Sequence, residues 1–209
     1  MRYFFKDFLE PLSYLIYVIS FLIILKKNKS ILRGFLFIYY LFATLTLFVA
    51  IFSNVNNWIY NIFFFVTVCV FSYYFHTIIS NTWKKLVITI SLGINFIIFF
   101  LYNVVLHRLH HYNTHAFAVN FLSIVVYAIF YFFELIRNID ETVLLDKFDF
   151  WFVSASILYF IGSFSIICFY EQISVDQRAL LWSLQNIVLF LSSLITLTGS
   201  VWIPSQKKS

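Results

Sequence analysis

The chain alternates between long apolar runs and short polar gaps, from one end to the other. Each run is close to the roughly 20 residues of helix that cross a bilayer core about 30 Å thick. The runs are apolar on all faces, and they lack the alternating ten-residue pattern of a membrane β-barrel. We therefore predict an all-α, polytopic membrane protein, with residues 1–209 forming a single seven-helix transmembrane domain. The predicted spans are 9–25, 34–53, 58–79, 86–105, 116–136, 150–170 and 179–202.

Charge patterning predicts how these helices are oriented. Only 11% of the residues are charged, against roughly 25% in an average soluble domain. With the N-terminus outside and the C-terminus in the cytoplasm, ten Lys and Arg residues fall in the inner gaps and four in the outer gaps. Because positive charge is retained on the inner side, this asymmetry favours an outside N-terminus. The net charge of +5 is spread over several loops, so we do not expect a nucleic-acid partner. The lipid bilayer is the partner that the sequence indicates.

A histidine cluster occupies the predicted outer loop between the fourth and fifth helices. Helical spacing would place three of its members on one face, and imidazoles so arranged bind Zn²⁺ or Cu²⁺. The same groups titrate near neutral pH, so a pH sensor is a second interpretation. An ordinary polar loop is the third. The cluster consists of His107, His110, His111 and His115.

Two ionisable residues, His76 and Glu134, lie inside predicted spans. Both are 18 residues from the outer ends of their helices, so they reach a similar depth. Ionisable groups within spans are costly and are therefore functional candidates. The two side chains would form an ion pair if the third and fifth helices touch. The alternative is that each extends separately to the nearby cytoplasmic interface.

Amide side chains are concentrated in the outer half of the predicted bundle. Amides surrounded by lipid need partners, so we expect them to face the interior. They would serve either as hydrogen bonds between helices or as the wall of a ligand cavity open to the outer side. The amide candidates are Asn61, Asn95, Asn103, Asn120, Gln185 and Asn186, joined in the cavity interpretation by Tyr127, Tyr170 and Glu171.

The longest predicted inner loop joins the fifth and sixth helices and is acidic. Its carboxylates outnumber its two basic residues, Arg137 and Lys147. The loop is interpreted either as a solvated surface or as a docking patch for a cytoplasmic or membrane partner. The docking candidates are Asp140, Glu141, Asp146 and Asp149.

Several enzyme and cofactor classes lack their signatures here. Retinal proteins of the same outline need a lysine midway along the seventh helix, and residues 179–202 contain none. Intramembrane zinc hydrolases need several histidines and an aspartate within the bundle, whereas His76 is the only histidine in a span. A G-x-S-x-G motif is also missing. We therefore expect no catalytic residues and no cofactor, apart from the Zn²⁺ or Cu²⁺ that the histidine cluster would bind.

The sequence of the third, sixth and seventh helices resembles that of a known group of proteins. Phe150-Trp-Phe152, then Ile157-Leu-Tyr-Phe-Ile-Gly-Ser-Phe164, follow the acidic loop, and Trp58-Ile-Tyr-Asn-Ile-Phe63 with Phe71-Ser-Tyr-Tyr-Phe75 fits the same picture. This text is similar to uncharacterised seven-helix bacterial integral membrane proteins often encoded beside sensor histidine kinases. The resemblance implies a bacterial cytoplasmic-membrane protein with a signalling partner such as a histidine kinase.

These observations favour a non-enzymatic membrane sensor or signalling accessory. In this hypothesis an outer-half pocket binds a ligand and the acidic inner loop reports to a partner, which requires two states that bind the ligand differently. A transporter or channel for small molecules or ions is the first alternative, and it would need a continuous polar path. A metal-dependent membrane lipid enzyme is the second, and it would need the loop histidines to converge with Glu171 or Asp176.

Overall fold

The computed structural model describes residues 9–27, 30–52, 57–106, 113–137, 145–170 and 172–203. Over these ranges the chain is all-helical, with no strand, and each predicted span falls on one helix to within five residues. The prediction of an all-α protein with seven long helices is confirmed. The helices are α1 Glu10–Lys27, α2 Ile31–Phe52, α3 Asn57–Ile78, α4 Thr82–Phe100, α5 Thr114–Arg137, α6 Phe148–Tyr170 and α7 Val175–Trp202.

Local sequence signals fix where several helices begin. Pro11 occupies the first turn of α1, where a missing N–H costs no hydrogen bond. The side chain of Asn81 accepts from the backbone N–H groups of Trp83 and Lys84 and so caps α4. Ser174 and Gln177 form a reciprocal capping box at the start of α7. These caps satisfy backbone N–H groups that have no partner within the first turn of a helix.

The fourth helix does not end as a regular α-helix. Its last turn, Leu101–Val105, is π-helical, and Leu106 N–H donates to the carbonyl of Leu101 at 3.0 Å. Asn103 is buried in this turn, and its Nδ2 donates to the Phe99 carbonyl at 3.0 Å. The widened turn therefore carries one of the predicted amides.

Six helices form a closed ring, and α4 lies outside it. Each of α1, α2, α3, α5, α6 and α7 packs on the next in that order, and α7 packs back on α1. The outer helix α4 packs against α3 and α5 and leaves side chains such as Phe96 and Ile97 more than half exposed. Exposed apolar side chains in such numbers match a lipid-facing surface.

Five helices are long and apolar enough to cross a bilayer. They are 58–78, 82–105, 114–137, 148–169 and 180–202. In α2, the apolar stretch Ile31–Thr46 is shorter than these five. Helix α1 carries charged residues at its ends, namely Glu10, Lys26 and Lys27. The structure is therefore that of a multi-pass helical membrane protein. The count of seven spans and the orientation of the termini stay predictions.

An aromatic core fills the centre of the ring. The ring of Phe152 on α6 is fully buried and contacts Phe21 of α1, Tyr40 of α2 and Phe71 of α3 at centroid distances between 5.4 and 6.4 Å. Stacked and edge-to-face pairs of this kind add about 0.5–1.5 kcal/mol each beyond the area they bury. One phenylalanine thus joins four helices.

Small residues allow α6 and α7 to approach closely. A Cβ added at Gly162 would lie 2.9 Å from Cγ1 of Val188, and one added at Gly199 would overlap Trp151. On α6, Gly162 therefore faces α7, whereas Ser165 is exposed. Glycine at these helix contacts is required by space.

Candidate functional site

Residues from five helices form a pocket at one end of the ring. We call this the Glu10 end, where α1, α3, α5 and α7 begin, and the opposite end the Lys27 end. The pocket encloses about 30 Å³, which is room for one or two water molecules or a chemical group of that size. Its polar wall consists of Glu10, Thr46, Gln185 and Asn186, and its aromatic wall of Tyr14, Tyr60, Phe63, Phe64, Tyr159 and Trp182.

Helix periodicity brings these side chains together. On α1, Glu10 and Tyr14 are four residues apart, so they share one face. On α7, Trp182, Gln185 and Asn186 are three or four residues apart and share another. Because α1 packs directly on α7, the two faces meet at the pocket.

The amide of Gln185 is a buried polar group in the wall. Gln185 is 5% exposed, and its side chain lies within hydrogen-bonding reach of the Tyr159 hydroxyl. Its carbonyl oxygen, Oε1, is buried without a hydrogen-bond partner in the structure. A buried acceptor left unpaired costs about 1–3 kcal/mol, so its position in a pocket wall calls for a donor.

A second, deeper cavity of about 20 Å³ continues the pocket toward the centre of the ring. Tyr14, Tyr159 and Leu189 line both spaces. Hydroxyl groups pair across the deeper cavity, where Tyr39 and Thr67 lie 2.7 Å apart. Beneath it the aromatic core begins, with Phe71 in the floor. The polar space therefore reaches inward from the Glu10 end and stops at packed rings.

The remaining predicted cavity residues are buried elsewhere. Asn95 bridges two helices, since its Nδ2 donates to the Ser91 carbonyl at 2.8 Å and to Ser123 Oγ on α5 at 3.0 Å. Asn61 on α3, with Asn120 and Tyr127 on α5, is buried outside the described pocket wall. The same is true of Asn103 in the π-helical turn. Glu171 and the side chain of Tyr170 lie outside the described residues. Of the predicted set, Gln185 and Asn186 line the pocket.

The structure does not bring His76 and Glu134 into an ion pair, although α3 and α5 pack together. The carboxylate of Glu134 instead accepts from the N–H groups of Ser80 and Asn81, at 2.8 and 3.0 Å, and lies 3.5 Å from Lys84 Nζ. His76 is exposed. The equal depth of the two residues stays a prediction. The cation near Glu134 comes from α4, because Lys84 follows the turn whose N–H groups donate to Glu134.

The predicted histidine cluster is described only at its last member. His107, His110 and His111 lie outside the described residues, and His115 is exposed near the start of α5. His115 lines a groove of about 180 Å³ with Cys168 and Gln172. Among described residues, no group of three or more His, Cys, Asp or Glu side chains is placed to hold a metal ion.

The acidic loop is described only from residue 145 onward. Asp146 is exposed, and Asp140 and Glu141 lie outside the described residues. Asp149 is half-buried in the first turn of α6, where its Oδ1 accepts from the Tyr74 hydroxyl at 2.8 Å. This carboxylate therefore links α3 to α6 and is directed into the bundle.

Sequence reasoning missed the aromatic and acidic parts of the pocket. Neither Trp182 nor Glu10 was among the predicted site residues. The helical spacing of Glu10 with Tyr14, and of Trp182 with Gln185, was a usable signal. It did not show which helices are neighbours, and this pocket depends on α1 meeting α7.

Comparison with known proteins gives no relative from which a function could be inferred. The chain matches no known protein family, no curated protein and no solved structure. What is established is a helical bundle of multi-pass membrane type with a polar and aromatic pocket at its Glu10 end.

Proposed function

We propose that the protein is a non-enzymatic membrane sensor or signalling accessory that binds a small ligand in the Glu10-end pocket. In this proposal seven helices span a bacterial cytoplasmic membrane with the N-terminus outside, so the pocket opens outward. The Lys27 end then faces the cytoplasm and a signalling partner such as a histidine kinase. The excess of Lys and Arg in the gaps at the Lys27 end supports this orientation.

The unpaired carbonyl oxygen of Gln185 is the observation that carries the proposal. An acceptor that is buried in a pocket and lacks a partner is stabilised when a ligand donates to it. Serines on the same helix behave differently, since Ser192 and Ser193 donate to carbonyls of their own helix. Asn95 and Asn103 also have a buried amide oxygen without a hydrogen-bond partner, but neither residue lines the pocket, whereas Gln185 does.

Two helices connect the pocket to the Lys27 end. Glu10 and Lys27 lie at opposite ends of α1, about 25 Å apart along the helix axis. Lys27 Nζ donates to the Ser200 and Val201 carbonyls of α7, and α7 carries Gln185 in the pocket wall. A ligand that changes how α1 and α7 sit around the pocket therefore acts on their contact at the other end. This contact is the two-state element that a sensor needs.

Aromatic packing favours a sensor over a transporter. Phe71 lines the floor of the deeper cavity, and Phe21, Phe148 and Phe152 contact one another beyond it. Moving a solute through this region would require several fully buried rings to separate. Binding at the pocket requires no such rearrangement.

A fluorescence experiment tests the sensor proposal. The full chain, with Cys69→Ala and Cys168→Ala, receives Leu145→Cys and an environment-sensitive dye at this exposed position near the Lys27 end. In lipid nanodiscs it is titrated with n-propylammonium, propan-1-ol and butanoate, one probe from each charge class. We expect a saturable emission change with at least one probe, and its loss in the Gln185→Leu variant.

Three results would contradict the sensor proposal. The first is the absence of a saturable change with all three probes. The second is uptake of a responding probe into proteoliposomes at rates above protein-free liposomes, since transport would then account for binding. Retained response in Gln185→Leu would place the probe outside the pocket and also count against the proposal.

A further inference from the structure

We propose that the pocket recognises a primary ammonium group, so that the ligand is an organic amine whose cationic head enters between α1 and α7. This inference rests on the proposed ligand-binding function and specifies its chemical class. Charge, aromatic surface, hydrogen-bond acceptors and volume each support it.

The charge of the described pocket wall is negative. Glu10 is the only residue with a formal charge among the described residues that line it. Tyr14, Tyr60 and Tyr159 line the same pocket as the Glu10 carboxylate. A carboxylate beside a desolvated space favours a cation, because Coulomb attraction strengthens as the local dielectric constant falls.

Aromatic rings supply most of the remaining wall. Tyrosine and tryptophan faces attract cations through the ring quadrupole, and the attraction grows when the cation is desolvated. Tyr14, Tyr60, Tyr159 and Trp182 come from four different segments of the chain, on α1, α3, α6 and α7. An anion in this position would be repelled by the Glu10 carboxylate. The charge and the aromatic content of the wall therefore both favour a cation.

Hydrogen-bond acceptors distinguish between types of ammonium ion. A primary ammonium has three N–H donors, and the wall offers the Glu10 carboxylate and the unpaired Gln185 Oε1 as acceptors. A quaternary ammonium has no donor and would leave Gln185 unpaired. An alcohol has one donor and no charge.

The volume of the pocket also favours a primary ammonium group. The enclosed space of about 30 Å³ holds one or two water-sized groups, whereas drug-sized ligand pockets hold about 300–1,000 Å³. An –NH3⁺ head is of this size, and a tetramethylated head is several times larger. The hydrocarbon part of the amine would remain at the opening.

Titration calorimetry of the full chain in nanodiscs, at neutral pH and constant ionic strength, tests this selectivity. The probes are n-propylammonium, propan-1-ol, butanoate and tetramethylammonium. We expect n-propylammonium to bind about 10-fold or more tightly than each of the others, as a charge-assisted hydrogen bond of about 1.5–3 kcal/mol implies. Equal affinity for propan-1-ol, butanoate or tetramethylammonium would overturn the inference and leave the ligand-binding function intact. No binding of any probe would overturn both.

Substitutions at Glu10 provide the matched control. Glu10→Gln keeps the size of the side chain and removes its charge, so we expect the preference for n-propylammonium over propan-1-ol to disappear. Glu10→Asp keeps the charge, and we expect the preference to persist even if both affinities fall. Thermal unfolding shows whether each variant is folded. If either variant is unfolded, the comparison of probes on the unmodified chain tests the ammonium selectivity. An unchanged preference in Glu10→Gln would contradict the assignment.

Discussion

Single glycine positions show how strongly space constrains this bundle. The chain has four glycines, all within helices, and they meet very different surroundings. An added Cβ would overlap Trp151 at Gly199 and would approach Val188 at Gly162, whereas Gly34 and Gly93 have nothing within 4 Å. Two of the four therefore set how closely α6 and α7 approach, and two do not.

We expect Gly199→Ala to destabilise the protein by about 1–3 kcal/mol, because the new methyl group must displace the base of the Trp151 side chain in a packed interface. Gly93→Ala is the matched control. It adds the same methyl group in open space on α4 and should be neutral or stabilising by up to about 1 kcal/mol. Unfolding of both variants in mild detergent gives the comparison. Equal free energies of unfolding would show that α6 and α7 can separate without cost.

At this scale the sequence predicts which residues are buried polar groups, but it does not predict which side chains they contact. That buried amides should find partners between helices follows from the cost of leaving them unpaired. Asn95 does so through Nδ2, which donates to Ser123 on α5, whereas Asn103 donates within its own helix. Which amides would share a pocket depends on helix neighbours. Gln185 and Asn186 reach the pocket because α7 meets α1, while Asn120 lies on α5 and is buried elsewhere. An apolar run with no distinct polar face does not show which helices pack against it.

At the scale of elements, one carboxylate organises the turn between α3 and α4. Glu134 on α5 accepts from the backbone N–H groups of Ser80 and Asn81 and from the Ser80 hydroxyl, at 2.8 to 3.0 Å. Lys84, one turn into α4, donates from Nζ to the Phe130 carbonyl on α5. The turn and the start of α4 are thereby fastened to α5.

Glu134→Gln should therefore loosen this turn. The amide retains one acceptor oxygen but places an NH2 group toward donors, so at least one of the Ser80 and Asn81 bonds is lost. We expect faster hydrogen exchange at these two backbone amides, measured by mass spectrometry on the reconstituted protein. His76→Gln is the control, and exchange there should stay unchanged because His76 is exposed. Comparable loosening by His76→Gln would restore the ion pair predicted from depth.

Elements were the most predictable level of this molecule. Apolar runs of bilayer length bounded by Lys, Asn or Ser identify helices by composition alone, and the observed bounds agree to within five residues. The placement of α4 outside the ring was not foreseen, because its run is as apolar as those of the ring helices. Exposure of its faces is an outcome of packing, which one sequence does not reveal.

At the scale of the whole molecule, the ring is closed by its first and last helices. Lys27, at the end of α1, donates from Nζ to the carbonyls of Ser200, Val201 and Ile203 at 2.6 to 3.0 Å. Carbonyls at a helix end have no partner within the helix and carry the negative end of its dipole, so a lysine suits them. The positive residue that sequence reasoning used for orientation also joins the two helices.

Lys27→Met should therefore weaken ring closure. It removes hydrogen bonds from a charged donor, each of which is worth about 1.5–3 kcal/mol, so we expect the free energy of unfolding to fall by about 2 kcal/mol or more. Backbone amides of residues 200–203 should also exchange faster. Lys26→Met is the matched control, because it removes an equal charge from an exposed neighbour and changes the positive asymmetry of the loops by the same amount. A shared loss of stability would mean that loop charge, acting on orientation, is what matters. A loss confined to Lys27→Met would assign the effect to the contact that links α1 and α7 at the end of the bundle opposite the pocket.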